Sequence, residues 1–569
     1  MSLVNGALQI GRNALLAYQS ALQVVGNNIS NVATDGYTRQ SAVLTALSGG
    51  LVSGGYQPGS GVALSGLQRN VDESLEDRYR VAIGDQASAE VSEDILGRIE
   101  TSMNELTDSD LSTLLQNFFN AFSDLQNDPT QATARTVVVT SAQSLATELA
   151  RQRDEVLSLR DEINTELETT VDQANELSSE IADLNAQIAA LECSGTGTAN
   201  PLRDQRDGLL RELSELVEVE VREQPNGSIN VYVGNEPLIQ SGTNRGLTAT
   251  LDTVNEQQKI TVRFADSNSP ITVRGGKIGG LVEARDELLV DYVGQLDSLA
   301  AGLISEVNKV HSQGQGLDGW EDVTGAFDVR DADATLNSAQ AGLNLKPTNG
   351  SFTLTVNDQK TGTSTDYVIT VDLDGSGTDD SLNSLVAQIN SKVGDARAEA
   401  TGDNRLRFVA DDGFDVTFSE DSSNVLAALG VNVFFTGSNA ANLAVNSQIV
   451  SNTNLLAAST TGAAGDGTNA GNLAALGSEP VAGLGNLSVT EFYNNIVTDV
   501  ATKGSAASAR SEATTSISSA LASEREQVSG VSLDEETISM LALERAFQGA
   551  SRYASTVDEM LQQLLALVG

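Results

Sequence analysis

The sequence predicts a multidomain fold: an α-helical coiled-coil terminal region, a long α-helical bundle domain, and two β-rich or α+β outer domains inserted between helical parts. Three observations carry this. Both ends hold apolar residues that alternate spacings of three and four. A seven-residue repeat runs through the region 135–193. Between 218 and 437 the pattern switches to strand-like alternation.

The N-terminal seam is Val4, Leu8, Gly11, Leu15, Tyr18, Leu22, Val25, Ile29 and Val32. This is the a/d pattern of a left-handed coiled coil, with Gly11 as its one weak layer. The helix should end near Asn31–Gly36, because Asn and Asp favour turns and Gly36 accepts a positive φ. The C-terminal seam is Met540, Leu543, Phe547, Ala550, Ala554, Val557, Leu561, Leu564 and Val568. Leu533-Asp534-Glu535-Glu536 precedes it, and acids in a first turn suit the helix dipole. A seam this narrow needs a partner helix: first the other end of the chain, then neighbouring subunits. Packing of each helix on an ordinary globular core is the competing reading. Seams sustained over four heptads and reaching nearly to the chain ends, where chains usually fray, count against it.

Between the seams, Ile95, Ile99, Met103, Leu106, Leu114, Phe118, Phe122 and Leu125 keep helical spacing until Asp128-Pro129. A long helix is expected from about 135 to 193, where Leu149, Val156, Ile163, Thr170, Leu177, Leu184 and Leu191 recur every seven residues. At 1.5 Å per residue it is roughly 85 Å long. A loop over 194–201 and a short helix over 202–217 follow. Pro225-Asn226-Gly227 then separates Val219 and Val221 from Ile229, Val231 and Val233 as a hairpin turn. Alternation continues through 247–273, and helix returns over 281–310. Strands are expected at 352–356, 367–371, 406–410 and 414–418, with a helix at 382–392. Residues 437–486, rich in Gly, Ala, Asn and Ser, read as an extended crossing back to helices that run from about 490 to the end. The expected domains are 1–74 with 525–569 as terminal core, 75–217 with 278–334 and 438–524 as long-helix domain, 218–277 as a small β domain, and 335–437 as an inserted outer α+β domain.

Composition excludes several classes of function. The net charge of −44 repels phosphates and anionic headgroups, so neither nucleic acid nor membrane is an expected partner; solubility is the ordinary reading of such a surface. One Cys and one His leave no internal disulfide and no Cys/His zinc cluster. Nucleophilic catalysis would need His311, which ends a helical run and reads as a cation at a helix C-terminus. Asp372–Asp380 places Gly377 at the sixth position of a calcium loop but Asn383 at the twelfth, so it reads as an acidic strand-to-helix turn. The acids Asp154, Glu155, Asp161 and Glu162, beside Arg151, Arg153 and Arg160, read as solvated helix pairs. No enzyme activity, cofactor or metal is expected. There is no apolar run of about 20 residues and no basic n-region, so neither a membrane span nor an ordinary secretory signal is read.

The most distinctive string is Asn27-Asn28-Ile29-Ser30-Asn31-Val32, continued by Gly36-Tyr37-Thr38-Arg39-Gln40. With Gly530-Val531-Ser532-Leu533-Asp534-Glu535-Glu536, Ser555–Leu561, Asn200–Asp207 and Leu429–Gly437, it resembles the bacterial flagellar hook-associated protein 1 family, within the larger rod, hook and hook–filament junction group. The family often has Pro where Asp35 stands, and Gln-Gln-Ala-Tyr near Glu544-Arg545-Ala546-Phe547. The resemblance implies a structural subunit at the junction of hook and filament, built as a ring, with terminal helices inside and β lobes outside. It implies as partners the chain itself, the hook protein, a second junction protein and an export chaperone. It also implies delivery to the extracellular flagellum by the flagellar secretion apparatus, with termini that order on assembly. The expected assembly interface comprises Leu8, Leu15, Leu22, Ile29, Asn27, Asn28, Asn31, Gly36, Tyr37, Arg39, Leu533, Asp534, Phe547, Val557, Leu561 and Leu564. The alternatives are a hook or distal rod subunit, or a secreted adhesin carried by the outer β domains.

Overall fold

A computed structural model of the chain describes residues 2–48, 59–103, 110–193, 197–254 and 257–568. The chain begins α1 (Ser2–Ser30), β1 (Gln40–Ser48), β2 (Gly59–Arg69), α2 (Glu73–Met103), α3 (Leu111–Asn127), α4 (Ala132–Glu192) and α5 (Asn200–Leu216). Seven short strands follow: β3 (Glu220–Glu223), β4 (Ile229–Val233), β5 (Glu236–Gln240), β6 (Thr243–Asn244), β7 (Leu247–Val254), β8 (Gln257–Phe264) and β9 (Pro270–Ile271). Then come α6 (Gly276–Glu283), a π turn over Ala284–Leu288, and α7 (Leu289–His311). The next stretch holds β10 (Asp322–Thr324), β11 (Gly350–Asp358), β12 (Thr363–Val371), α8 (Leu382–Lys392), β13 (Ala396–Ala400), β14 (Leu406–Ala410), β15 (Phe414–Ser419), α9 (Val425–Leu429), β16 (Phe435–Thr436) and β17 (Ala444–Val445). The chain closes with α10 (Ser447–Ser451), α11 (Thr468–Ala475), α12 (Val489–Ser529) and α13 (Leu533–Val568). The fold is mostly helical, with small antiparallel sheets, and divides into two compact units.

The first unit gathers Met1–Ile95, Ile163–Asp286 and Ala506–Gly569. In it α1 packs along α13 on one side and on the β1–β2 hairpin on the other. The hairpin pairs Gln40 with Arg69 through to Ser48 with Gly59. It was not expected from the sequence: Gly, Ser and Ala interrupt its alternation, and one side of it is spent covering a helix. Val32, expected as the last seam residue, is 42% exposed because α1 has already ended at Ser30. Gly11 is not a weak layer. A Cβ there would stand 3.2 Å from Ala554 Cβ, so Gly11 is where the two helices approach each other closely. Two further sheets belong to this unit, in the orders β3-β4-β5-β6 and β7-β8-β9. The turn into β4 is the expected one, with Gly227 at φ 79.

The 61-residue α4 is about 90 Å long. Its seven-residue row behaves as a straight helix requires. Leu149, Val156, Ile163 and Thr170 are buried, Leu177 and Leu184 are half-buried, and Leu191 is 53% exposed. Seven residues fall about 20° short of two turns, so the row rotates away while Ile181, Asn185 and Ile188 take its place.

The second unit gathers Leu96–Glu162 and Glu287–Ser505. Its core joins Phe118, Phe119 and Phe122 of α3 to Phe434 and Phe435 in a ring cluster with centroids 4.8–6.0 Å apart. Two three-stranded sheets, β12-β11-β15 and β10-β14-β13, carry α8, whose N-terminus is capped by Ser381. Because β10 pairs with β14, the second of these sheets takes an edge strand from residues 322–324, ahead of 335. Residues 437–486 are not an extended crossing. They form α10, α11 and turns, with Leu456, Ala457, Ala458, Ala470 and Leu473 buried. The small residues that suggested a linker instead permit close approach: a Cβ at Gly467 would meet Gln126 O at 2.3 Å, and one at Gly477 would meet the Phe119 ring at 2.7 Å.

His311 also departs from the expectation. It is fully buried, Nε2 accepts from Ala457 N (3.0 Å), and Nδ1 donates to the Asn432 carbonyl (2.8 Å). Burial lowers its pKa to about 4, with nearby Arg135 adding to the effect. It is therefore a neutral hydrogen-bonding bridge, not a cation at a helix end.

Candidate assembly site

The last turn of α1 places Asn28 inward, 1% exposed. Its amide makes four hydrogen bonds. Nδ2 donates to Gln40 O (2.8 Å) and Glu536 Oε2 (2.9 Å); Oδ1 accepts from Tyr37 Oη (2.8 Å) and Gln40 N (3.1 Å). Gly36, at φ 73, makes the reversal that returns Tyr37–Gln40 to the helix they have just left. Asn27 donates to Tyr37 Oη, and Asn31 caps back onto Asn27.

Arg39 ties this turn to the far end of the chain. Its Nε donates to Glu536 Oε1 (2.7 Å), Nη1 donates to Glu535 Oε2 (2.6 Å), and its backbone N–H donates to Ser529 O (2.8 Å). Glu536 is 2% exposed, so this pair is charge-assisted and largely out of water. The sequence reading treated Glu535 and Glu536 only as first-turn acids; their function here is to hold Arg39 and Asn28. Asp534 beside them is exposed, and so is Leu533.

A third segment joins from the start of α5. Asp204 Oδ2 accepts from Thr38 N (3.4 Å), Arg69 Nε pairs with Asp204 (2.8 Å), and Arg69 also pairs with Asp207. Asn200 Nδ2 donates to Gln40 Oε1 (3.1 Å). Burial raises the pKa of Asp204 despite Arg69, and burial followed by the Asp204 charge raises that of Tyr37. Below them, buried Glu76 of α2 binds Arg525 of α12 (2.7 Å) and Arg211 of α5 (3.4 Å). Arg69, Glu76 and Arg525 were not singled out from the sequence, while Asp204, Asp207, Glu535 and Glu536 stood there only within the strings 200–207 and 530–536, with no place in the site. The signal was there in part: Arg39 in one distinctive string and paired glutamates in another.

Along the helices, Leu8, Leu15, Leu22, Ile29, Phe547 and Leu561 are half-buried and Val557 is buried, while the Leu564 side chain lies outside the described residues. Asp372, Asp374 and Asp379 bring carboxylate oxygens within 4.8 Å of one another. Asp374 and Asp379 accept from Ser376 N and Gly375 N, as the turn reading expects. Among the described residues no helix is long and apolar enough to cross a membrane.

Residues 8–38 match the model "Flagella basal body rod protein", and 523–567 match "Flagellar basal body rod FlgEFG protein C-terminal". These are the two arms of the network. Residues 96–328 match "Flagellar hook-associated protein FlgK helical domain". Flagellar hook-associated protein 1 of Salmonella typhimurium is 28% identical over 99% of both chains, and that of Escherichia coli is 26% identical over 99% of both. The chain is thus similar over nearly its full length to flagellar hook-associated protein 1. Flagellar hook-associated protein 1 of Bacillus subtilis is 26% identical, covering 70% of this chain and 86% of its own. The solved flagellar hook junction protein FlgK of Burkholderia pseudomallei aligns over 79% of this chain and all of that chain, at 18% identity and TM-score 0.49. The family is a structural one of the flagellum, and the strings that mark hook-associated protein 1 at the two ends are those that meet at Asn28.

Proposed function

We propose that this chain is a structural subunit of the junction between hook and filament in the external flagellum, and that it self-assembles through α1 and α13, paired as a coiled coil. The carrying observation is the Asn28–Arg39–Glu536 network, which joins residues about 500 positions apart and fixes the two terminal helices against each other. The full-length match to hook-associated protein 1 supports the location. Its neighbours are then further copies, the hook protein and a second junction protein, with a chaperone and the flagellar secretion apparatus delivering the chain. It acts by packing rather than by chemistry: its single histidine is used up in a core.

The test is complementation of a strain lacking its own hook-associated protein 1. The wild-type chain should restore filaments. Leu561→Asp puts a carboxylate into the α1–α13 seam and should leave flagellin in the medium. Normal swimming with that variant would refute assembly through this pair.

A further inference from the structure

Strands β11 and β15 of the second unit are buried on both faces but apolar on only one. Phe352, Leu354, Val356, Val416 and Phe418 belong to the core. The side chains between them point the other way, because successive residues of a strand alternate faces. That second face pairs Thr353 with Ser419, Thr355 with Thr417 and Asn357 with Asp415, and Asp366 of β12 lies beside Thr355. It floors a groove of about 1210 Å³, walled by residues 315–322 and by parts of 452–462. Seven carboxylates line this groove, and among the described residues no lysine or arginine does. Asp322 pairs with Arg407. Asp318, Glu321, Asp358, Asp366, Asp415 and Glu420 have no ion-pair partner among the described residues. Acidity alone would describe a solvated surface; the hydroxyls of the floor point to a ligand. Thr353 donates to Glu420 (3.4 Å) and Thr355 to Asp366 (2.7 Å). Thr417 and Ser419 are each 8% exposed, line the groove, and have no side-chain partner among the described residues. Hydroxyls placed so deeply are ordinarily hydrogen-bonded.

Unused hydroxyls beside unpaired carboxylates fit an occupant that brings backbone amides for the former and several cations for the latter. Concave acidic walls concentrate the field on such cations. The groove exceeds the roughly 300–1000 Å³ of small-molecule clefts, which favours a length of extended chain. In an extended chain alternate side chains share one face and repeat about every 6.8 Å. A second copy does not supply them, because this chain nowhere places three lysines or arginines at alternate positions. We propose that the groove binds an extended basic segment of a different protein, with cations at alternate positions. The strand-bearing part of the second unit then has a binding function separate from assembly through the terminal helices. Glu321, Asp366 and Asp415 hold the cations of that segment, and Thr417 and Ser419 hold its backbone.

Trp320, the one tryptophan of the chain, lies in the groove wall and reports on its occupancy. The experiment is titration of the full chain with hexalysine, followed by Trp320 fluorescence and by calorimetry. One site per chain should saturate at 50 mM NaCl, and its dissociation constant should rise at least tenfold at 500 mM as salt screens the carboxylates. Asp366→Asn/Asp415→Asn keeps the acceptors that Thr355 and Asn357 use and should weaken binding at least tenfold. Thr417→Val keeps the side-chain shape, removes the hydroxyl and should weaken it at least threefold. If the double variant loses the wild-type circular dichroism spectrum, Glu321→Gln, at an exposed side chain, takes its place with at least a threefold loss. Glu168→Gln/Asp172→Asn removes two carboxylates from exposed positions of α4 and should change binding less than twofold. Equal weakening by the groove and α4 variants would reduce the effect to general acidity and overturn the site. Spermine binding as tightly as hexalysine would overturn the peptide as occupant. Absence of saturable hexalysine binding at either salt concentration would overturn the groove as a cation site. None of these outcomes bears on assembly through α1 and α13, which the complementation tests separately.

Discussion

Replacing Asn28 with leucine isolates the contribution of the network. Leucine keeps the branching of asparagine in a larger, wholly apolar side chain that takes no part in hydrogen bonding. Gln40 N–H then loses its partner, and Glu536 Oε2 loses its donor, both at buried residues. Each buried group left unsatisfied costs about 1–3 kcal/mol, and burying the added apolar surface returns about 1 kcal/mol. The expected net loss is about 3 kcal/mol, on the order of a hundredfold in the local opening equilibrium. Hydrogen exchange with mass spectrometry reads this directly, at amides 25–30, 40–44 and 536–540. Asn31→Leu serves as the control, since Asn31 bonds only within its own turn and Asn27; it should accelerate exchange less than fivefold. Urea unfolding followed by Trp320, which lies in the other unit, should not move. Exchange in Asn28→Leu within threefold of wild type would show that the network adds nothing beyond the apolar seam.

Three further outcomes follow from the packing. Burial holds the folded His311 pKa near 4 while the unfolded value is 6.5, so the unfolded chain takes up a proton first as pH falls. Its contribution, about 3 kcal/mol in full, is present above pH 6.5 and is lost as pH drops from 6.5 through 4. Trp320-monitored urea midpoints should fall over that window in the wild type and fall less in His311→Gln; equal slopes would refute the assignment. Gly11→Leu should push α13 away and raise exchange at 543–557 about tenfold, whereas Gly11→Ala should stay within twofold, its gain in helix propensity of about 1 kcal/mol offsetting the tight contact. A fragment spanning 312–437 should unfold cooperatively in urea. One spanning 335–437, without β10 and Trp320, should do so at lower urea; equal midpoints would show that the strand from 322–324 is dispensable.

What was legible in the sequence tracks how local the cause is. The helix over 382–392 is read from its own spacing and agrees residue for residue with α8, because its apolar periodicity is local and its cap, Ser381, stands immediately before it. The turn at Pro225-Asn226-Gly227 is equally local. The β1–β2 hairpin was invisible, since its strands cover α1 rather than alternate cleanly between core and water. Residues 437–486 misled because small residues serve linkers and tight packing alike, and only the facing Gln126 and Phe119 distinguish the two. In the candidate site, Asn27, Asn28, Gly36, Tyr37 and Arg39 stood out as one string. Their partners Asp204 and Glu536 are distant in sequence, and nothing local ties an arginine at 39 to a glutamate at 536.

That distance also explains why a polar network should sit at the end of an apolar seam. The α1–α13 seam is built from half-buried leucines and, where the helices approach closely, from small residues such as Gly11 and Ala554. A pattern that repeats every seven residues is nearly as well satisfied after a slip of one heptad, and small residues offer few shapes to oppose it. Such a slip moves Glu536 by about 10 Å along the helix axis. Asn28 and Arg39 would then face no carboxylate, and a buried glutamate would be left without its cation, which is strongly destabilising. The network thus adds modestly to the stability of the correct pairing and penalises the shifted one heavily. On the proposed assembly through α1 and α13, a fixed register is worth more than additional apolar burial, which would favour the correct and the slipped pairing alike.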